Sequence, residues 1–268
     1  MPPLDTRALQ ARILAAGHDC GAVDGRHGTK TATALTAAGG IPGLGIHPSG
    51  LHSIVLHWTA GAYGFIELEL AHYHLVIGVD GRAVAGHLKP EANADISDGR
   101  YAAHTRAANS GRIGVAVDAM AGAVERPFDA GSAPITSAQF AGLCEAVADL
   151  CETYSIPVSR WTLLTHAEVE RTLGIPQRAK WDITWLPGMD APGDPVAVGN
   201  RIRGEITTIL RKRGAAARPG TVPPVRPDVE PAFRRSPSAL EAAPPLPKTP
   251  FGGGLRLSDL FPCLRSRK

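Results

Sequence analysis

The chain has 268 residues, of which 44% are hydrophobic and only 5% aromatic, and it carries a net charge of +3. That length accommodates one sizeable domain plus appendages, with a core resting on Leu, Ile, Val and Ala. No apolar run reaches the roughly 20 residues needed to span a bilayer. The start, MPPLDTRALQARILAAG, lacks an apolar signal region, so a chain made in the cytoplasm without a secretory signal is expected.

The charge is unevenly spread. From Arg211 to Lys268 there are 12 Lys/Arg against 4 Asp/Glu, which leaves the preceding 210 residues at −5. A basic tail on a mildly acidic body suits an anionic surface, whether wall polymer, membrane or nucleic acid, or else is simply solvated. No nucleic-acid-binding motif accompanies it, so no nucleic-acid partner is expected. The four cysteines form no CxxC pair. Cys144 and Cys151 fall on one predicted helix, about 10 Å apart along its axis, too far for a disulfide within that helix. They read as small core residues.

In chain order, residues 5 to 16 predict a short helix capped by Asp5 or Thr6, with Leu9, Ile13 and Ala16 on one face and Gly17 at its end. Thr29 to Ala38 predicts a second helix beyond a turn-rich loop containing Asp24-Gly25. The stretch LQARILAAGHDCGAVDGRHGTKTATAL resembles the front of a small helical peptidoglycan-binding module, with the Gly/Pro-rich residues 39–50 as linker in place of a third helix. That resemblance implies wall affinity for the segment 1–45.

The run Ser53 to His57 is apolar and ends in histidine, which suits a buried strand. Ile66 to Ala71 predicts a turn or two of helix. Tyr73 to Val79 and Arg82 to Gly86 flank Asp80-Gly81, predicting a hairpin whose two turn residues both take φ > 0. His87 to Ser110 is loop-like, and Ile113, Val115 and Val117 alternate with Gly114 and Ala116 as another strand. Thr136 to Gln139 spells a capping box. After it, Phe140, Leu143, Cys144, Val147, Leu150, Cys151 and Tyr154 mark an amphipathic helix. Trp161 to Leu164 predicts a strand leading to His166, Ala167 to Leu173 a short helix, and Pro195 to Arg213 a last helix with Ile202, Ile206 and Leu210 on one face. Pro219 to Pro250 contains ten prolines in 32 residues, a composition expected to stay disordered.

Leu163 to Pro187, LLTHAEVERTLGIPQRAKWDITWLP, places His166, Lys180 and Asp182 within seventeen residues. A histidine and a carboxylate are common zinc ligands, but the pair alone has no diagnostic spacing. With IVLHWTAG at 54–61, YHLVIGVDGRAVAG at 73–86, AHTRAANSGRIGVAV at 103–117, LTHAEV at 164–169 and KWDITWLPG at 180–188, the order of motifs resembles the type 2 zinc N-acetylmuramoyl-L-alanine amidases. That family includes phage lysis amidases and shares its fold with peptidoglycan recognition proteins.

The resemblance implies an α/β fold with a central mixed β-sheet flanked by helices over residues 51–213, followed by a Pro-rich, basic tail over 214–268. It implies Zn2+ held by His57, His166 and Asp182, catalysis by Tyr73 and Lys180, and a substrate groove lined by His104 and Asn109. The implied activity is hydrolysis of the amide between N-acetylmuramic acid and L-alanine in peptidoglycan by a phage or prophage lysis enzyme, acting on the wall after release. A murein-binding protein of the same fold that cuts nothing is the competing expectation, and would be expected to lack a ligand.

Overall fold

In a computed structural model, which describes residues 4–216, the run SIVLHW forms β1 (Ser53–Trp58), buried along its whole length. It is flanked on one side by β4 (Arg112–Val117) and on the other by β5 (Leu163–Thr165), both parallel to it. β2 (Leu75–Ile77) runs parallel to β4, and β3 (Ala83–Ala85) closes the edge antiparallel to β2. The five-stranded mixed sheet has the order β3-β2-β4-β1-β5. Strands covered on both faces read as continuous apolar runs rather than alternating ones, which explains the SIVLHW pattern.

The two faces are covered differently. Ile54, Leu56 and Trp58 of β1, with Ile113, Val115 and Val117 of β4, pack under α5 (Ser137–Thr153) and α7 (Pro195–Ala216). Val55 joins Leu164, Val169 and Leu173 on the opposite face, beside α6 (His166–Leu173). Because side chains alternate along a strand, His57 lies on the Val55 face. On that face β4 presents Gly114 and Ala116 after Arg112, and a side chain at Gly114 would collide with the ring of His104. The small residues read as strand alternation in the sequence are room for an imidazole.

α5 begins as its capping box predicts: Thr136 Oγ1 accepts from the Gln139 N–H, and Gln139 Oε1 accepts from the Thr136 N–H, both at 3.0 Å. Cys144 and Cys151 are buried free thiols in the core beneath it. α6 is fixed by a buried ion pair, with Arg203 of α7 donating to both carboxylate oxygens of Glu168 at 3.0 and 2.9 Å and to the Leu163 carbonyl at 2.7 Å. Gly174, left-handed at φ +65, ends α6 and lets the chain turn back.

At the N-terminus, α1 (Thr6–Ala15) is capped by Asp5, and α2 (Thr29–Ala37) follows. Four expectations are corrected here. Ala16 is exposed and lies outside the apolar face of α1. Residues 39–50 are not only linker: a single turn, α3 (Gly40–Gly43), delivers Leu44 into a cluster with Leu9, Ile13, Cys20 and Ala34. In the hairpin, only Gly81 takes positive φ, at +81. The loop has three residues rather than two, closed by bonds from the Gly78 N–H to the Arg82 carbonyl and from the Gly81 N–H to the Gly78 carbonyl. A third loop residue relieves Asp80 of the left-handed conformation. Finally, Tyr73 does not open a strand. It caps α4 (Glu67–His72), its N–H donating to the Glu69 carbonyl, two residues before β2.

The first helices do not hang apart from the sheet. Ala11 and Val23 pack with Val55, Leu164, Val169 and Leu173, and Arg7 Nη1 donates to the carbonyls of Val23 and Leu173 at 2.7 and 2.6 Å. Among the described residues no helix is long and apolar enough to cross a membrane. The Pro-rich stretch and the basic end lie outside the described residues.

Candidate active site and metal centre

Three elements deliver three buried side chains to one point. His57 comes from the end of β1, His166 from the first residue of α6, and Asp182 from the loop after α6. His57 Nδ1 lies 3.0 Å from His166 Nδ1, and Asp182 Oδ2 lies 3.1 Å from His166 Nδ1 and 3.6 Å from His57 Nδ1. The loop that carries Asp182 is unusual in its backbone. Arg178, Ala179 and Ile183 all adopt left-handed φ, between +54 and +60. Ile183 is β-branched, so its conformation is costly and is held by full burial in the core. One residue beside each of two ligands, Trp58 and Trp181 meet edge to face at 4.6 Å and lock the loop against β1.

The protons of the two imidazoles can be placed from their other contacts. Gln177 Nε2 donates to the carbonyls of Arg106 and Ile175 at 3.0 and 3.1 Å, so its Oε1 faces His166 Nε2 at 2.9 Å. An amide oxygen only accepts, so the His166 proton sits on Nε2. His104 Nε2 lies 3.3 Å from the Arg112 carbonyl, which requires its proton there and leaves Nδ1 as acceptor. His57 Nε2 lies 3.2 Å from that Nδ1 and 3.3 Å from Thr105 Oγ1, so it is His57 Nε2 that carries hydrogen. Both imidazoles therefore present bare Nδ1 lone pairs to each other and to the Asp182 carboxylate.

Three electron-pair donors within 3.0–3.6 Å repel one another unless a cation lies between them. Four-coordinate zinc, with bonds of about 2.0–2.1 Å, sets its ligands roughly 3.3 Å apart at the corners of a tetrahedron. The donor set of two neutral imidazoles and one carboxylate fits that ion. Burial pushes the His57 imidazole down to about 4, against the pull of Asp182, so it is neutral at neutral pH.

Tyr73 is half-buried beside this cluster, its ring centroid 5.2 Å from that of His57. Burial first, then Asp182 and Glu69, push its phenol far above its ordinary value of 10, so it remains an O–H donor. Lys180 is exposed on the wall of a cleft of about 810 Å3 that Gln177, Trp181, Glu170 and Phe128 also line. None of the three candidate ligands is among the residues that line this cleft.

His104 and Asn109 are placed differently from expectation. Both are buried, and the His104 ring nitrogens and Asn109 Oδ1 are engaged inside the protein. His104 backs His57, while Asn109 Oδ1 accepts from the N–H groups of His104 and Thr105 at 3.1 and 2.8 Å. Gly114 leaves the room that the His104 ring fills. Gln177 and Thr105 escaped the sequence reading. A lone amide or hydroxyl carries no spacing signal, although Gln177 stands in the same IPQRAKWD stretch as Lys180 and Asp182.

The family model described as N-acetylmuramoyl-L-alanine amidase (Amidase_2) matches residues 48–188. No curated protein matches the chain. Among solved structures, it is similar to N-acetylmuramoyl-L-alanine amidase LysC from Clostridium intestinale URNW, at 16% identity over 59% of this chain and 86% of that one, with a TM-score of 0.37. It is also similar to the drosophila peptidoglycan recognition protein SD, at 18% identity over 55% of this chain and 87% of that one, with a TM-score of 0.33.

Proposed function

The chain belongs to the Amidase_2 family of N-acetylmuramoyl-L-alanine amidases, and from that premise we propose that it hydrolyses the amide joining N-acetylmuramic acid to L-alanine in peptidoglycan, using zinc held by His57, His166 and Asp182. The observation that carries the reading is the convergence of three buried lone-pair donors, two of them stripped of their protons by contacts on their far side.

Bound zinc would supply Lewis acidity and a water acidified to near neutrality at an open fourth position. The chain's own groups do the rest. Asp182 contributes the one negative charge among the ligands, and the two neutral imidazoles leave net positive charge to polarise substrate. Lys180, at the cleft wall, offers an ammonium to the carbonyl oxygen as that oxygen becomes negative. Tyr73 keeps its Oη proton and so serves as donor, to the attacked amide or to the amine that leaves, rather than as a phenolate base. The burial of the ligands limits the access of bulk water to the site.

Incubation of the purified chain with sacculi, with and without a chelator, tests this. New free L-alanine amino termini, lost with chelator and restored by zinc, are expected. New reducing sugar ends would indicate a glycosidase and overturn the reading. Binding without any new termini would indicate the non-catalytic relative instead.

We place the enzyme among phage or prophage lysis enzymes, made in the cytoplasm and acting on the wall after release. The motif order, which resembles phage lysis amidases, supports this. Production inside a bacterium should leave cells intact until the inner membrane is permeabilised. Lysis without permeabilisation would count against it.

A further inference from the structure

We propose that Gln177 is a positioning residue that makes His166 competent to capture metal, by keeping the imidazole proton on Nε2 and away from Asp182. The proposal rests on the zinc reading of the site and concerns a residue outside the ligand set. Its physical basis is a competition for one proton. Asp182 Oδ2 lies 3.1 Å from His166 Nδ1 and would readily accept a hydrogen bond from it. That bond would consume two of the three donor atoms at once and leave only His57 for the metal. Gln177 Oε1 offers the same proton an acceptor at 2.9 Å on the other nitrogen.

The competitor is held rigidly. Gln177 is 3% exposed, and both of its amide hydrogens are committed to the carbonyls of Arg106 and Ile175, so the amide cannot turn its nitrogen toward His166 without stranding two carbonyls. Its backbone N–H donates to Glu170 Oε2 at 2.8 Å, which anchors it to α6, the helix that carries His166. Its carbonyl in turn accepts from the Lys180 N–H at 3.3 Å. One residue thereby orients a ligand and braces the turn that presents Lys180 to the cleft. Outer groups of this kind fix the tautomer of a metal-binding histidine and typically influence affinity by 10–100-fold. His104 with Thr105 plays the corresponding part for His57.

The experiment uses the full chain and the variants Gln177→Leu and Gln177→Glu. Zinc affinity is measured by competition with a chromophoric chelator. The proton-bearing nitrogen of each imidazole is assigned from side-chain ¹⁵N shifts of the zinc-free protein at about pH 8, above the ordinary histidine range. In the parent chain His57 and His166 should both carry hydrogen on Nε2. Gln177→Leu should bind zinc about 10–100-fold more weakly and show His166 with hydrogen on Nδ1. Gln177→Glu, which retains an acceptor facing His166 but loses both amide hydrogens, should keep the Nε2–H form.

A parent chain with His166 protonated on Nδ1 overturns the proposal even if no variant folds. So does a Leu variant with unchanged affinity, or a Glu variant whose His166 carries its hydrogen on Nδ1. A parent chain that binds no zinc fails the functional reading itself, whereas normal zinc binding and cleavage with indifferent Gln177 variants fails only this inference.

Discussion

Two residues apart in the same loop, Asp182 and Lys180 differ in exposure: one is buried against two imidazoles, the other is exposed on the cleft wall. Their substitution should therefore fail differently. Asp182→Ala removes the only anionic ligand and leaves two imidazoles, so zinc content per chain and turnover should both collapse. Lys180→Ala touches no ligand. Its ammonium meets a charge that exists only as the reaction proceeds, so zinc content and fold should be kept while single-turnover rate falls roughly 100- to 1000-fold, the size of effect seen for one oxyanion donor. Zinc loss in Lys180→Ala, or full zinc and full rate in Asp182→Ala, would reverse these assignments.

Among elements, the contact between the β2–β3 hairpin and α5 has little tolerance. Gly81, at φ +81, sits in the turn, and a Cβ on it would lie 2.5 Å from the Ala138 carbonyl oxygen. A Cβ on Gly142, inside α5, would run into the Gly81 carbonyl. Helix propensity argues that Gly142→Ala should stabilise α5 by up to about 1 kcal/mol. The obstacle is backbone on a neighbouring element rather than a flexible side chain, so helix and hairpin must part, and overpacking of this kind costs about 1–3 kcal/mol. The clash should win, and urea unfolding of Gly142→Ala should show a lower midpoint than the parent chain. A higher midpoint would mean that the hairpin yields without cost.

At the scale of the whole molecule, buried neutral histidines tie stability to pH. His74 Nδ1 accepts from the Gly114 N–H at 2.9 Å, and its Nε2 faces Asn93 Oδ1 at 3.0 Å. Burial pushes it down to about 4, against the pull of Asn93 and Glu91. His52 is also driven well below its ordinary value, by burial and then by Arg112 and Arg12. A folded-state value below the unfolded one means the unfolded chain takes up the proton first. The stabilisation is complete above about pH 6.5 and drains away as pH falls toward 4, by up to roughly 1.4 kcal/mol per pH unit per group. For His74 alone the loss across that window is roughly 3 kcal/mol. Thermal unfolding of the zinc-free chain should show this decline, and His74→Gln should make it shallower. An identical slope in both would remove His74 from the account.

Much of this was legible in the linear chain because it depends on short-range physics. The capping box at Thr136 and Gln139, the stripe of α5, the continuous apolar run of β1 and the Asp5 cap each involve neighbours within a turn or along one strand. The motifs carrying His57, His166 and Asp182 could be read in order, and folding gathers those three side chains at one point. What only the tertiary structure decided is which nitrogen of each imidazole is bare. That follows from Gln177, eleven residues from His166, and from His104, forty-seven residues from His57, meeting them in the folded interior. The same holds for the Arg203–Glu168 pair that fixes α6 and for the seating of the first helices on Val55 and Leu173. Periodicity and capping report a residue's own backbone, whereas the acceptor facing a buried proton is set by the packing of segments that have no local reason to be near each other.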